Sequence, residues 1–161
     1  MSATPNQSEA LTESEVLTEI IVEIFRLNAL LLEKGNQMVA PLRMTSARWQ
    51  VLGALALSGK AMSCPQIATA MGISRQGAQK QLNLASEDQL LAVHENPRKL
   101  RSPLYELTTA GQEAYSKAMG LQADWSKALS RGITLSDWQI TLNVVRELDA
   151  RLQSTPLPNQ E

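Results

Sequence analysis

The sequence predicts a mainly α-helical fold that carries a small β element of two or three strands, and three observations predict it. Apolar residues recur at helical spacing near both ends of the chain, two short helical patterns flank the tetrapeptide MGIS, and two strand-like segments bracket the basic stretch NPRKLRS. Composition agrees. The 161 residues are 43% hydrophobic with 4% aromatics and six Met, as suits one domain with an aliphatic, helix-rich core. The longest apolar run, VLGALAL from Val51, is far below membrane-spanning length, so a soluble chain with no membrane partner is expected.

The elements follow in order. After a polar arm, residues 1–13, that reads as disordered, Val16, Ile20, Ile24, Leu27 and Leu31 form a helical stripe. Leu17, Ile21, Phe25 and Leu32 widen it beyond what one packing partner needs, so this helix is expected to pack on two sides. Gly35 and Pro41 are expected to break it. Thr45 suits the N-cap of a second helix, SARWQVLGALALSG, which Gly59 closes. Ser63 caps a third, short helix with Pro65 in its first turn, and Gly72 supplies the left-handed residue that ends it. Ser74 caps a fourth helix that runs to about Asp88. QLLAVHE and PLYELT then read as strands. From Thr109 the helical period returns, breaks at Gly132, and resumes through Leu135, Trp138, Leu142, Val145, Leu148 and Leu152. The Pro-interrupted tail, residues 154–161, reads as disordered, and there is no internal repeat.

Charge is the next clue. The net charge of -1 conceals an uneven distribution: residues 1–40 hold six acids against two bases, whereas residues 60–101 hold six bases against three acids. The two helices around MGIS form a helix-turn-helix, in which Ala68 permits close approach, Gly72 makes the turn and Ile73 fills the space beneath it. Arg75, Gln76, Gln79 and Lys80 then fall on the outer face of the second helix, where Arg and Gln suit guanine and adenine edges and Gly77 and Ala78 are too small to hold DNA away. Ser74, at the positive end of the helix dipole, suits a phosphate. The plainer alternative is a solvated helix face. The hairpin argues against it, because Arg98, Lys99 and Arg101 crowd its tip, from which Arg can reach a narrow minor groove.

A helix-turn-helix followed by a basic hairpin is a winged helix, and here the sequence resembles the MarR family of winged helix-turn-helix regulators. The matching segments are TSARWQVLGAL, QIATAMGISRQGAQKQL and NPRKLRSPLYELTTAGQEA, and the order of elements agrees from about Val16 to Leu152. The resemblance implies a bacterial homodimeric transcription factor, usually a repressor, bound to a pseudo-palindromic operator in double-stranded DNA. It divides residues 14–153 into a winged helix-turn-helix, 45–109, and dimerisation helices, 14–34 and 110–153. Val16, Ile20, Ile24, Leu135, Trp138, Leu142 and Val145 are the expected interface. Small aromatic ligands or oxidants often relieve DNA binding in such proteins, so an effector of that kind is expected, with no other cofactor. Three departures stand out. Lys99 occupies the place of an acid that many wings carry shortly before their Arg, Gln81 replaces a commonly buried aliphatic, and Gln89 replaces the Gly that commonly ends the recognition helix.

Other functions find little material. One Cys and one His exclude an internal disulfide and His-rich metal sites, and no enzymatic role is expected. Cys64 could have a lowered thiol pKa near its helix N-terminus, but the family's peroxide sensors carry their reactive Cys in the first helix, so a small buried thiol is the expectation. His94 reads as a strand residue at the wing base rather than a pH switch. Trp49, Trp125 and Trp138 suit core or interface, and a ligand would fit a cleft beside the terminal helices. The opening MSATPNQSEALTESE lacks the basic segment and apolar core of a secretory signal, which leaves the cytoplasm as the default compartment. The alternative function is a dimeric winged-helix adaptor for a protein partner, which acidic replacements in the wing and recognition helix would favour; the bases there oppose it.

Overall fold

A computed structural model describes residues 11–157, so most of the expected disordered arm and half of the expected tail lie outside the described residues. The chain divides into two compact units, Met1–Gln122 and Ala123–Glu161. The first contains the winged helix.

Helix α1, Glu13–Val39, starts from a capping box: Thr12 Oγ1 accepts the Glu15 N–H at 3.3 Å, and Glu15 Oε2 accepts the Thr12 N–H at 2.8 Å. The Thr12 N–H, together with the Thr12 hydroxyl, which donates to Glu15 Oε2 at 2.7 Å, favours the charged form and holds the Glu15 carboxyl below its ordinary pKa. The expected break at Gly35 does not occur. The helix continues to Val39 and tightens into a 3-10 turn, Ala40–Leu42, at Pro41. Gly35 instead allows close approach: a Cβ there would lie 2.5 Å from Ser46 Oγ, the first residue of α2, Ser46–Ser58. The Ser46 hydroxyl donates to the Leu32 carbonyl at 2.9 Å and its N–H donates to Asn36 Oδ1 at 2.7 Å, so α2 begins fastened to α1.

Local chemistry sets the next elements as expected. Thr45 caps α2, and Gly59 ends it at φ 63°. Ser63 and Gln66 cap α3, Cys64–Met71, and Gly72 ends that helix at φ 62°. Ser74 caps α4, Arg75–Glu87. Val51 and Leu52 of α2, Ile67 of α3 and Leu82 of α4 are fully buried, and burying side chains of this size contributes about 1.5–3 kcal/mol each.

Strand β1, Met62–Ser63, was hidden in the sequence by its two-residue length. It pairs antiparallel with β3, Leu104–Leu107, which also pairs with β2, Leu91–His94, giving the sheet order β1-β3-β2. Gln89 turns the chain from α4 into β2 in the left-handed conformation, φ 58°, even though Gly is absent. Its carbonyl accepts the Thr108 hydroxyl at 2.8 Å, which ties the turn to the far end of β3.

Helix α5, Thr109–Leu129, follows the sheet, and α6, Leu135–Ser154, begins at the Thr134 cap after Gly132 at φ 84°. The apolar residues of α1 from Val16 to Leu32 are exposed within the chain, and α6 buries none of its residues; Leu135 is 73% exposed and Trp138 39%.

Candidate nucleic-acid interface

Helix α4 has two faces because its small and apolar residues recur at helical spacing. Ala78, Leu82 and Ala85 are buried, and Gln76, Lys80 and Asn83 are exposed on the opposite side, with Arg75 exposed at the first position. Leu82 and Ala78 anchor the helix, and Gln81 is only half-buried between them and the surface. At the N-terminus, Ser74 Oγ accepts the Gly77 N–H at 3.0 Å and retains its hydroxyl proton for a ligand oxygen. The start of the helix is pinned from below, since Cys64 Sγ donates to the Arg75 carbonyl at 3.4 Å. Burial pushes the Cys64 thiol above its ordinary pKa, opposed by the Arg75 charge, so the lowered pKa considered from its helix position is corrected. The other end is pinned by Arg48 of α2, whose Nη1 pairs with Asp88 at the α4 C-cap.

The wing tip is organised without a carboxylate. Asn96 Nδ2 donates to the Ser102 carbonyl at 2.8 Å and Asn96 Oδ1 accepts the Arg98 N–H at 3.1 Å, which supplies the order that the missing acid would have given. The Lys99 carbonyl accepts the Ser102 N–H at 2.9 Å, closing a turn with Leu100 and Arg101 at its centre. Arg98, Lys99 and Arg101 are all exposed there. At the base, His94 Nε2 lies 3.1 Å from Glu106 Oε2 across the exposed strand pair.

Five of these cations cluster without a carboxylate partner on two adjoining elements. Arg26, Arg48 and Arg151 each have a carboxylate partner, whereas among the described residues Arg75, Lys80, Arg98, Lys99 and Arg101 have none. On the recognition helix and wing, five positive charges face solvent uncompensated.

Gln79 stands apart from the other expected base readers. It is half-buried on the flank of α4 nearest the sheet, and its Nε2 donates both to Asn83 Oδ1 at 2.8 Å and to the Tyr105 hydroxyl at 3.0 Å.

Comparison with known proteins agrees with this geometry. The MarR family profile matches residues 44–102, which span α2, the helix-turn-helix, β2 and the wing tip and stop short of β3. An uncharacterized protein of Mycobacterium tuberculosis is 32% identical over 124 residues, covering 77% of this chain and 81% of the relative. The chain belongs to the MarR family. As a MarR-family protein it is a transcription regulator built on a DNA-binding winged helix, a family of regulators rather than enzymes. A MarR/EmrR family transcriptional regulator from Acinetobacter sp. shares the fold with a TM-score of 0.77 at 16% identity, covering 87% of this chain and 99% of that one. Bordetella bronchiseptica BpsR, described by the regulation of its DNA binding by 6-hydroxynicotinic acid, gives 0.65 at 18% identity, covering 79% and 98%. No helix among the described residues is long and apolar enough to cross a membrane.

Sequence reading missed Asn83, Asn96, Tyr105 and the Arg48–Asp88 pair. Asn83 was findable, one helical turn after Gln79 on an exposed row; the others depend on residues that only folding brings together.

Proposed function

We propose that this MarR-family protein acts as a homodimeric repressor that occupies a pseudo-palindromic operator. The supporting observation is the set of five uncompensated cations on the recognition helix and wing of one winged helix. Arg75 and Gln76 contact base edges in the major groove, while Ser74 and Lys80 hold phosphates. Arg101 enters the minor groove, with Arg98 and Lys99 near phosphates on either side. Exposed apolar faces support a second copy: Val16, Ile20 and Ile24 on α1, and Leu135, Trp138, Leu142 and Val145 on α6, are too many large apolar side chains to leave in water.

A small aromatic acid releases the DNA. The regulation of BpsR supports this, as does an open notch of about 410 Å³ where Arg43 and Lys117 outnumber the one carboxylate, Glu113, beside Pro41, Leu42 and Ala114. Selection from a random DNA pool tests the whole reading. It should recover two inverted half-sites roughly 10 base pairs apart, centre to centre, because both recognition helices must meet one face of the duplex. Inserting half a turn between them should abolish tight binding; tight binding that ignores the insertion, or no enrichment at all, overturns the proposal.

A further inference from the structure

We infer that Gln79 and Tyr105 form a positioning pair that couples the recognition helix to the wing, and that Gln79 does not itself read a base. The inference rests on the DNA-binding reading above. Two hydrogens are available on the Gln79 amide nitrogen, and both are used inside the protein, one by Asn83 Oδ1 and one by the Tyr105 hydroxyl. Bidentate reading of adenine needs one of those N–H groups. Releasing it would take a partner from Tyr105, a phenol that is only 5% exposed.

Tyr105 is well placed to transmit position. It lies on the central strand of the sheet, opposite Val93 of β2 and Met62 of β1, four residues after Arg101 at the wing tip. Among the described residues, the bond from Gln79 is the one side-chain hydrogen bond between α4 and this sheet. It fixes the rotation of α4 about its own axis relative to the strand that carries the wing. Gln76, Lys80 and Asn83 therefore face the major groove at the setting where Arg101 meets the minor groove. Asn83 gains a second role, since its oxygen accepts from Gln79 and its own NH2 has no partner among the described residues. The polar amide that points out of this network is thus Asn83, one turn further along the helix.

The test uses the full-length protein with DNA selection and with affinity measured across salt concentrations. The variants are Gln79→Met, which keeps length and flexibility, Tyr105→Phe, which removes one oxygen, and the double substitution. Each single variant should lose about tenfold in operator affinity, the scale of one net hydrogen bond, and the double should lose no more than either alone. The recognition-helix bases in the selected motif should stay as in wild type, while preference for A/T-rich flanks weakens in both variants. A merely structural role would lower stability without separating flank preference from core bases. A Gln79→Met protein that recodes one base position while Tyr105→Phe keeps wild-type affinity and flank preference overturns the inference, as do two variants indistinguishable from wild type. If wild type itself enriches no DNA, the DNA-binding reading has failed rather than the coupling.

Discussion

Replacing Gly111 with Ala should destabilise the protein by about 3 kcal/mol, even though Ala is the better helix former. Gly111 sits in the first turn of α5, where its N–H donates to Thr108 Oγ1 at 3.0 Å. A Cβ added there would lie 2.1 Å from the Leu90 carbonyl oxygen, more than 1 Å inside the 3.4 Å at which ordinary contact begins, and 3.1 Å from the Leu90 carbonyl carbon. Neither backbone can yield cheaply. The Leu90 N–H donates to the Ala85 carbonyl at 2.9 Å, its own carbonyl accepts the Thr108 N–H at 3.0 Å, and Leu91 pairs with Leu107 in the sheet. Overpacking costs about 1–3 kcal/mol, and a broken Thr108–Leu90 bond costs about 1–3 more if its groups stay unpaired. Relief of the helical glycine returns about 1 kcal/mol. At roughly 2–4 °C per kcal/mol for a chain of this size, the melting temperature should fall by about 6–12 °C. Thermal unfolding by circular dichroism at fixed protomer concentration measures it, with Gly120→Ala as the control, since nothing lies within 4 Å of that position. Gly120→Ala should hold or raise stability. A Gly111→Ala protein as stable as wild type would refute the reasoning, because it would show that the α4–β2 turn and the start of α5 can separate without loss.

The remaining predictions concern DNA and the thiol. Arg75→Ala should cost about 1–3 kcal/mol and relax preference at one operator position, whereas Lys80→Ala should weaken all sequences alike; motifs from a random pool separate the two. Arg98→Ala with Lys99→Ala should flatten the plot of log K against log salt by about 0.9 for each phosphate that the wing no longer neutralises, and an unchanged slope would mean that the wing tip stays in solvent. Because burial raises the Cys64 pKa, less thiolate forms at neutral pH than in a free cysteine, so alkylation followed by mass spectrometry should be slow until denaturant is added. Peroxide should leave DNA binding unchanged.

What could be read from the sequence was what neighbours in the sequence decide. The caps at Thr45, Ser63 and Ser74 and the left-handed exits at Gly59 and Gly72 each depend on residues within a few positions, so residue type alone located the boundaries of α2, α3 and α4. Glycines that serve distant neighbours were misread or passed over. Gly35 looked like a helix breaker because nothing nearby reveals that Ser46 will pack against it, and Gly111 carried no signal of Leu90. Gln89 shows the converse: the expected glycine is missing, yet the left-handed turn survives because Thr108, from the other end of the hairpin, holds its carbonyl.

Helix α4 shows where such reading must stop. Its period separates the buried Leu82 from the exposed Gln76 and Lys80, because burial alternates with the turn of the helix. Ala78, expected beside Gly77 as a small residue facing DNA, is fully buried under the helix instead. The same period puts Gln79 near the boundary of the two faces, where residue type suits both a base edge and a protein partner. A phenol 26 residues away takes one of its amide hydrogens, the observation from which we infer that Gln79 does not read a base. The exposed row then continues to Asn83, so on the proposed DNA-binding reading the surface offered to DNA is shifted one turn toward the C-terminal end of α4 on that side. Base preference in this protein should therefore follow Arg75, Gln76 and Asn83, while Gln79 governs how firmly that helix and the wing hold one setting.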